Sequence, residues 1–439
     1  MINLKSIKKV HFVGIGGIGV SAVARMMLGE GKEVSGSDRE ETRIVKELKE
    51  KGARISIGHN EANIPFGTDT VVYSIAVKDE NPELRRARAF GLSVFSYPEI
   101  LGAISVSKFT IAVSGTHGKT TTTAMIAKIL IDAGHSPTVI VGSLLKDGGS
   151  NFIAGEGNVF VVEACEYRRS FLHLEPNVLV ITNIDDDHLD YYGDVAGVQK
   201  AFGEFVAKVG KGNHIITDTS NPLVVPVLQN SKAQVIDYTA INGDLLKLRV
   251  PGKHNLANAK AALGVAEVLN VRLGTALNAL SNFKGTWRRF EYKGKMETGA
   301  LLYDDYAHHP TEIRATLQAA KDFFKNKKLV VVFQPHLYSR TKLLLEEFSK
   351  SFGGVEKIII APIYAAREDE SDVNSWLLAE KIKANNEDAI PMYTFNEIKE
   401  YLIAHTDENN VVFTMGAGDI YKVAEQLSMT NPSVNEPNI

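Results

Sequence analysis

The chain has 439 residues, of which 44% are hydrophobic and 23% charged, with a formal net charge of −3; this is too long for one ordinary core and suits two or three folded domains. The near-balanced charge excludes bulk attraction to nucleic acid or to an anionic membrane. Cys165 is the only cysteine, which excludes an internal disulfide framework. The N-terminal "MINLKSIKKV" lacks the apolar segment of a signal peptide, and no run approaches the roughly 20 apolar residues of a membrane span, so a cytoplasmic protein is expected.

Short β-branched runs alternate with amphipathic stretches from end to end, the pattern of βα units and mainly parallel sheets. Strands are predicted at 10–13, 34–36, 71–74 and 93–95, with a first unit closing near 105–108. The opening "VHFVGIGGIGV" spells G-x-G-x-x-G from Gly14, directly behind the first strand. Such a loop brings backbone N–H groups and a helix N-terminus to a diphosphate. Asp38, after the second strand, stands where a dinucleotide fold places its ribose-binding acid. These residues alone leave two ligands open, a nicotinamide dinucleotide in an oxidoreductase or a different diphosphate.

The second series starts with a strand at 109–114 in "AVSGTHGKTTTTAMIAKIL". The chain turns through Gly115, Thr116, His117 and Gly118 and enters a helix at Lys119. Glycines let backbone N–H groups point inward, Lys119 meets the β- and γ-phosphates, and Thr120 can ligate Mg²⁺. The strict Walker pattern has a glycine where this chain has Val113, so the loop is a close variant. Strands at 159–163 and 178–183 put Glu163 and His188 at C-terminal strand ends, where ligands collect in α/β sheets. An acid and an imidazole beside a P-loop suit a divalent metal near the γ-phosphate. Asp185, Asp186, Asp187 and Asp190 lack the spaced ligands and closing Glu of an EF-hand, and most of them read as a solvated acidic loop. "GKHNLANAKAALGVAEVL" is a helix whose entry turn carries His254, Asn255 and Asn258, with capping and ligand contact both open.

"LSNFKGTWRRFEYKG" reads as the next boundary, and a third series follows with strands at 301–304, 329–333, 357–361 and 411–415. Here "YDDYAHHPTEI" sets Asp304, Asp305, His308 and His309 between a strand and a Pro-started helix, and "FQPHLYSRT" sets His336 and Arg340 at another strand end. Such clustering at strand ends suggests a site facing the P-loop. The final "SMTNPSVNEPNI" reads as a frayed tail.

Taken in order, "HFVGIGGIGVSAVA", "SGTHGKTTT", "VVEACEYRRSFL", "TNIDDDHLDYY", "GKHNLANA", "WRRFEY", "DDYAHHPTEI", "QPHLYSRT" and "MGAGDI" resemble the Mur ligases of peptidoglycan synthesis over nearly the whole chain. The resemblance implies an α/β protein of three domains. Residues 1–107 are an N-terminal Rossmann-like domain for a UDP-sugar, 108–283 a central P-loop ATPase-like domain, and 284–439 a C-terminal Rossmann-like domain that binds the amino acid and closes on ATP. It implies an ATP-dependent ligase acting on the lactyl carboxylate of UDP-N-acetylmuramate through an acyl phosphate, with L-alanine as the expected amine and a recycled tripeptide as the alternative. A monomer or weak homodimer is expected, with no nucleic-acid or membrane partner.

By the same resemblance, Gly14, Gly16, Gly17 and Gly19 meet the diphosphate of the UDP-sugar, with Ser37, Asp38 and Ser74 near its nucleoside. Gly115, Thr116, His117, Gly118, Lys119, Thr120 and Thr121 bind ATP. Thr120 and Glu163 hold one Mg²⁺ or Mn²⁺, and His188, with Glu163, a second. His254, Asn255 and Asn258 lie on the adenine side, Arg289 meets an ATP phosphate, and Asp305 lies near the ribose. Tyr306, His308 and Arg340 belong to the amino-acid side, and Lys119, Glu163, His308 and Arg340 join His188 as the residues expected to act in catalysis. Two positions depart from the family pattern. Leu337 replaces a common arginine, leaving Arg340 as the cation for the amino-acid carboxylate, and Phe202 stands where several relatives carry a carbamylated lysine, so none is expected.

Overall fold

The computed structural model describes residues 2–146, 149–366, 368–385 and 387–429; the predicted tail from Thr430 onward lies outside them. Three sheets follow one another along the chain. The first holds β1 (Lys9–Val13), β2 (Glu33–Asp38), β3 (Arg54–Ile57), β4 (Thr70–Tyr73) and β5 (Ser93–Ser96), in the order β3-β2-β1-β4-β5, all parallel. Strand order reverses between β1 and β4, so their C-terminal ends open the crevice in which α/β sheets bind ligands. Gly14 leaves β1 there and Ser74 leaves β4 there.

The second sheet holds β6 (Phe109–Ser114), β7 (Thr138–Ile140), β8 (Phe152–Ile153), β9 (Val159–Glu163), β10 (Val178–Ile181), β11 (His214–Thr217) and β12 (Gln234–Asp237). Its order is β12-β11-β10-β6-β9-β7-β8, parallel except for β8. Strands β6, β9 and β10 are buried along almost their whole length, as a sheet covered on both faces requires. The first two sheets share one hydrophobic core, in which Phe12, Val72 and Ile100 join Phe160, Phe171 and Phe205. Arg25, on the helix Ile18–Gly29, adds a polar tie: its guanidinium donates to Asn151 at 2.5 Å, and Asn151 donates in turn to Ser21 and the Ile18 carbonyl.

The third sheet holds β13 (Glu291–Lys295), β14 (Leu301–Asp305), β15 (Lys328–Phe333), β16 (Lys357–Ile360), β17 (Ala389–Pro391) and β18 (Asn410–Met415), in the order β13-β14-β18-β15-β16-β17. Only β13 runs antiparallel. Helices cover both faces over separate cores, one around Phe290, Phe333 and Phe413 and one around Leu302, Val332 and Ile398. By contact density the chain forms two compact units. One comprises Met1–Lys247 with Ala257–Phe283, the other Leu248–Leu256 with Lys284–Ile439. No helix among the described residues is long and apolar enough to cross a membrane.

Candidate active site

In the first unit the glycine-rich loop uses most of its own donors. The N–H groups of Gly14 and Ile15 go to the Ser37 carbonyl, that of Gly17 to the Gly14 carbonyl, and that of Gly16 to Asp38 Oδ2 at 2.7 Å. The N–H groups left for an anion are therefore those of the first turn of the helix Ile18–Gly29, which have no intrahelical acceptor. Gly19 serves packing: a Cβ there would lie 2.7 Å from the Tyr97 ring. Ser37 lies near the end of β2, beside the loop. It is fully buried and donates to Glu83 at 2.7 Å, so its hydroxyl faces the domain interior, where His11 also meets Glu83 at 2.9 Å. Asp38 and Ser74 stay partly accessible at the strand ends.

The P-loop is built by three neighbouring strands. Gly115, at φ +129°, passes so close to β10's exit that a Cβ would lie 2.0 Å from Thr182 Oγ1. Gly118, at φ +81°, presses on Asn258, whose Oδ1 would lie 2.4 Å from a Cβ; the structure thus brings Asn258 to the loop. Asn183 accepts the His117 N–H, the Thr116 hydroxyl accepts the Asp185 N–H, and His117 pairs with Asp185 at 2.9 Å. Burial works to raise the Asp185 pKa, but the hydrogen bond and charge of His117 outweigh it and hold the carboxyl well below the usual range. Asp185 is therefore part of the loop's scaffold rather than a solvated acid.

Lys119 opens the helix Lys119–Asp132, and its ammonium donates to the Gly115 and Thr116 carbonyls and to Glu166 Oε1 at 2.8 Å. Burial pulls its pKa down, but Glu166, Cys165 and Glu163 more than offset this and push it up to about 12. The Thr120 hydroxyl lies 3.0 Å from both oxygens of Glu163, whose Oε2 also takes the Gly142 N–H. Thr120 and Glu163 meet because β9 lies beside β6, with Glu163 opposite Val113 in register. Thr121 is buried one residue further along the helix. His188, in a left-handed conformation, brings Nε2 to 3.8 Å from Glu166 Oε1, and its ring lies tilted against that of Tyr167 with centroids 4.8 Å apart. Phe202 is fully buried against Phe171. Sequence reading missed Glu166 and Tyr97. The first carried a signal, an acid three residues beyond Glu163; the second is visible only through packing. Removal from water and the charges of Glu163 and Cys165 raise the Tyr97 pKa.

In the second unit, His254 and Asn255 begin the helix Lys253–Val268. Burial and the Arg289 charge lower the His254 pKa to about 4. Asn255 donates to the Pro251 carbonyl at 2.7 Å, tying the helix entry to the segment before it. The two oxygens of Asp305 accept the Phe290 and Ala307 N–H groups at 2.7 and 2.8 Å, so it anchors the turn after β14. Burial raises its pKa to about 6. Arg289 lies 5.1 Å over the Tyr306 ring and 3.7 Å from Glu312. His308 Nδ1 faces the Tyr306 carbonyl at 3.0 Å and Glu312 at 3.3 Å. Arg340 meets His336 at 3.3 Å, while Leu337, buried at φ +71°, adds no charge beside it. Arg289, Tyr306 and His308 therefore form one group joined by Glu312, with Arg340 and His336 beyond.

Comparison with known proteins places this geometry. Residues 9–108 match the Mur ligase family catalytic domain, 113–245 the Mur ligase middle domain, and 288–418 the Mur ligase glutamate ligase domain. A UDP-N-acetylmuramate–L-alanine ligase of Clostridium acetobutylicum is 41% identical over 96% of this chain and 97% of its own length. The chain belongs to the Mur ligase family. Another relative, the UDP-N-acetylmuramate–L-alanine ligase of Caldanaerobacter subterraneus, is 39% identical over 98% of this chain and 99% of its own length. The crystal structure of the UDP-N-acetylmuramate–alanine ligase of Thermotoga maritima superposes with a TM-score of 0.80 at 31% identity, covering 95% of this chain and 98% of that one. A murein peptide ligase from Psychrobacter arcticus shares the fold, with a TM-score of 0.71 at 24% identity over 96% of this chain and 98% of that one. Membership in the Mur ligase family sets aside the oxidoreductase reading of the opening glycines.

Proposed function

We propose that the chain is an ATP-dependent ligase that joins L-alanine to the lactyl carboxylate of UDP-N-acetylmuramate in peptidoglycan precursor synthesis, in the cytoplasm. The observation that carries this is a P-loop whose Thr120 hydroxyl faces both Glu163 oxygens at 3.0 Å, in a chain that aligns end to end with ligases named for that reaction. A lactyl carboxylate oxygen attacks the γ-phosphorus of ATP and ADP leaves; the alanine amine then attacks the acyl carbon, and phosphate departs from the tetrahedral intermediate. Lys119 turns from its loop carbonyls to the β- and γ-phosphates, where its charge offsets that of the transferring group.

The three domains divide the work as residues 1–107, 108–283 and 284–439. The first turn of Ile18–Gly29 takes the UDP diphosphate, with Gly14, Gly16 and Gly17 shaping the loop and Asp38 and Ser74 beside the nucleoside. His254, Asn255, Asn258 and Arg289 receive the nucleotide, and Tyr306, His308 and Arg340 receive the amino acid. Thr120 and Glu163 offer a hydroxyl and a carboxylate to one divalent ion, and His188, with Glu163, an imidazole to a second. Mg²⁺ or Mn²⁺ bound there neutralises phosphate charge. The working form is a monomer or weak homodimer.

The test is phosphate release from ATP with UDP-N-acetylmuramate fixed and the amine varied among L-alanine, L-serine, glycine and the tripeptide of murein recycling. Release that requires UDP-N-acetylmuramate and is fastest with L-alanine supports the reading. Release that ignores the sugar nucleotide sinks it, and preference for the tripeptide reassigns the chain to recycling.

A further inference from the structure

Tyr97 opens the helix Tyr97–Val106 directly behind β5. It therefore leaves the first sheet at the same end as Gly14 and Ser74, the end at which α/β sheets bind ligands. Its partly buried ring packs against the core shared by the first two sheets. The ring also lies against the first turn of the helix Ile18–Gly29: a Cβ on Gly19 would stand 2.7 Å from its Cζ and 2.9 Å from its hydroxyl oxygen. Only a residue without a side chain leaves the phenol that place. The hydroxyl makes no hydrogen bond among the described residues. Phenylalanine would fill the same space, so packing accounts for the ring and leaves the oxygen unexplained.

The surroundings narrow what the oxygen is suited to. Removal from water and the neighbouring Glu163 charge raise the pKa of the phenol, which keeps it an O–H donor at any working pH. The first-turn N–H groups beside it lack intrahelical acceptors and favour an anion. A hydroxyl donor held against such a turn adds to the same anion site. In the ligase reading, Asp38 and Ser74 stand on the nucleoside side of the loop, while Glu163 stands with Lys119 and Thr120, where the lactyl carboxylate has to arrive. Tyr97 has Gly19 on one side and the Glu163 charge on the other, so of the two phosphates it suits the one nearer the sugar. We propose that the Tyr97 hydroxyl donates to the sugar-bearing phosphate of UDP-N-acetylmuramate and so sets the diphosphate where the lactyl carboxylate reaches the P-loop. This rests on the ligase reading for the identity of the sugar nucleotide.

The experiment is calorimetric titration of the full chain and of Tyr97→Phe with UDP-N-acetylmuramate, UDP, UMP and adenosine 5′-(β,γ-imido)triphosphate in turn. The variant keeps the ring and removes the donor, and circular dichroism checks that its fold is retained. Loss of a hydrogen bond to a charged acceptor predicts that Tyr97→Phe binds UDP-N-acetylmuramate and UDP at least about tenfold more weakly. UMP, which lacks the second phosphate, and the ATP analogue are expected to bind within a factor of about three of the wild type. Unchanged affinity for UDP-N-acetylmuramate overturns the proposal. An equal loss for UMP overturns it by moving the contact to the nucleoside or its first phosphate, and an equal loss for the ATP analogue does so by marking a structural role. Weakened UDP-N-acetylmuramate with unchanged UDP puts the donor on the sugar and overturns it as well. A wild type that binds UDP but not UDP-N-acetylmuramate counts against the ligase reading, while the UDP comparison still decides the role of Tyr97; a wild type that binds neither overturns both.

Discussion

Lys119 and His254 are the residues whose environments carry the sharpest consequences. Three acceptors hold Lys119 at the mouth of the P-loop, from which its flexible side chain can carry a charge to the transferring phosphoryl group. Lys119→Ala is expected to lower the rate of phosphate release at least a hundredfold in a steady-state assay, the magnitude typical of losing one preorganised charge contact in a transition state. The folding of the variant is followed by circular dichroism in the same preparation. His254 makes a separate prediction about pH. Burial and Arg289 lower its pKa to about 4 from an ordinary 6.5, so the folded state disfavours the protonated ring. The stability it contributes is complete above pH 6.5 and is lost as pH falls toward 4, by up to about 3 kcal/mol for a shift of this size. Urea unfolding of the wild type against His254→Asn, repeated between pH 4 and 7.5, should show the two curves diverging over that window, and parallel curves would remove His254 as the cause. The motif residues of the P-loop were legible in sequence because backbone geometry dictates them. Ser37 and Asp305 were harder to read, because a strand-end position does not reveal whether a side chain turns toward the crevice or, as Ser37 does toward Glu83, into the interior.

Among the elements, the loop between β6 and its helix has the narrowest tolerance. At Gly115 a methyl group would need space already held by Thr182 Oγ1, 2.0 Å away, and a φ of +129° that side chains rarely adopt. Gly115→Ala is therefore expected to cost about 1 to 3 kcal/mol locally and to weaken nucleotide binding at least tenfold, read by calorimetric titration. Binding at wild-type affinity would mean that the loop relaxes at no cost. Strand β6 was legible because it is a continuous apolar run that ends in the phosphate loop, and β9, β15 and β18 were readable for the same reason. The strands missed from sequence are mostly short or lie at sheet edges. β3 is only partly buried, with the pattern of a half-solvated edge, β8 has two residues, and β17 ends in a proline. Such elements are stabilised by the neighbour they pair with, and a hydrophobic pattern carries little trace of that. β11 and β12 are four residues each and were also missed.

At the scale of the whole molecule, sequence punctuation suggested three units, and the chain does form three sheets, yet the first two share a core. Phe12 and Phe160 belong to one continuous apolar cluster, and Arg25 reaches Asn151 across 126 positions of sequence. No local pattern records such a contact. Elements that share a core lose it together, so the first two sheets are expected to unfold in a single transition and the unit containing the third sheet in another. The tryptophans make the two separable, since Trp287 and Trp376 are the only two in the chain and both fall in the second unit. Asn151→Ala leaves the buried Arg25 guanidinium without one acceptor and Ser21 without a donor, a loss of about 2 to 3 kcal/mol. Scanning calorimetry should show one transition lowered by several degrees while the tryptophan fluorescence transition stays in place. If both shift together, the shared core of the first two sheets is not the boundary of cooperativity, and the chain unfolds as one body.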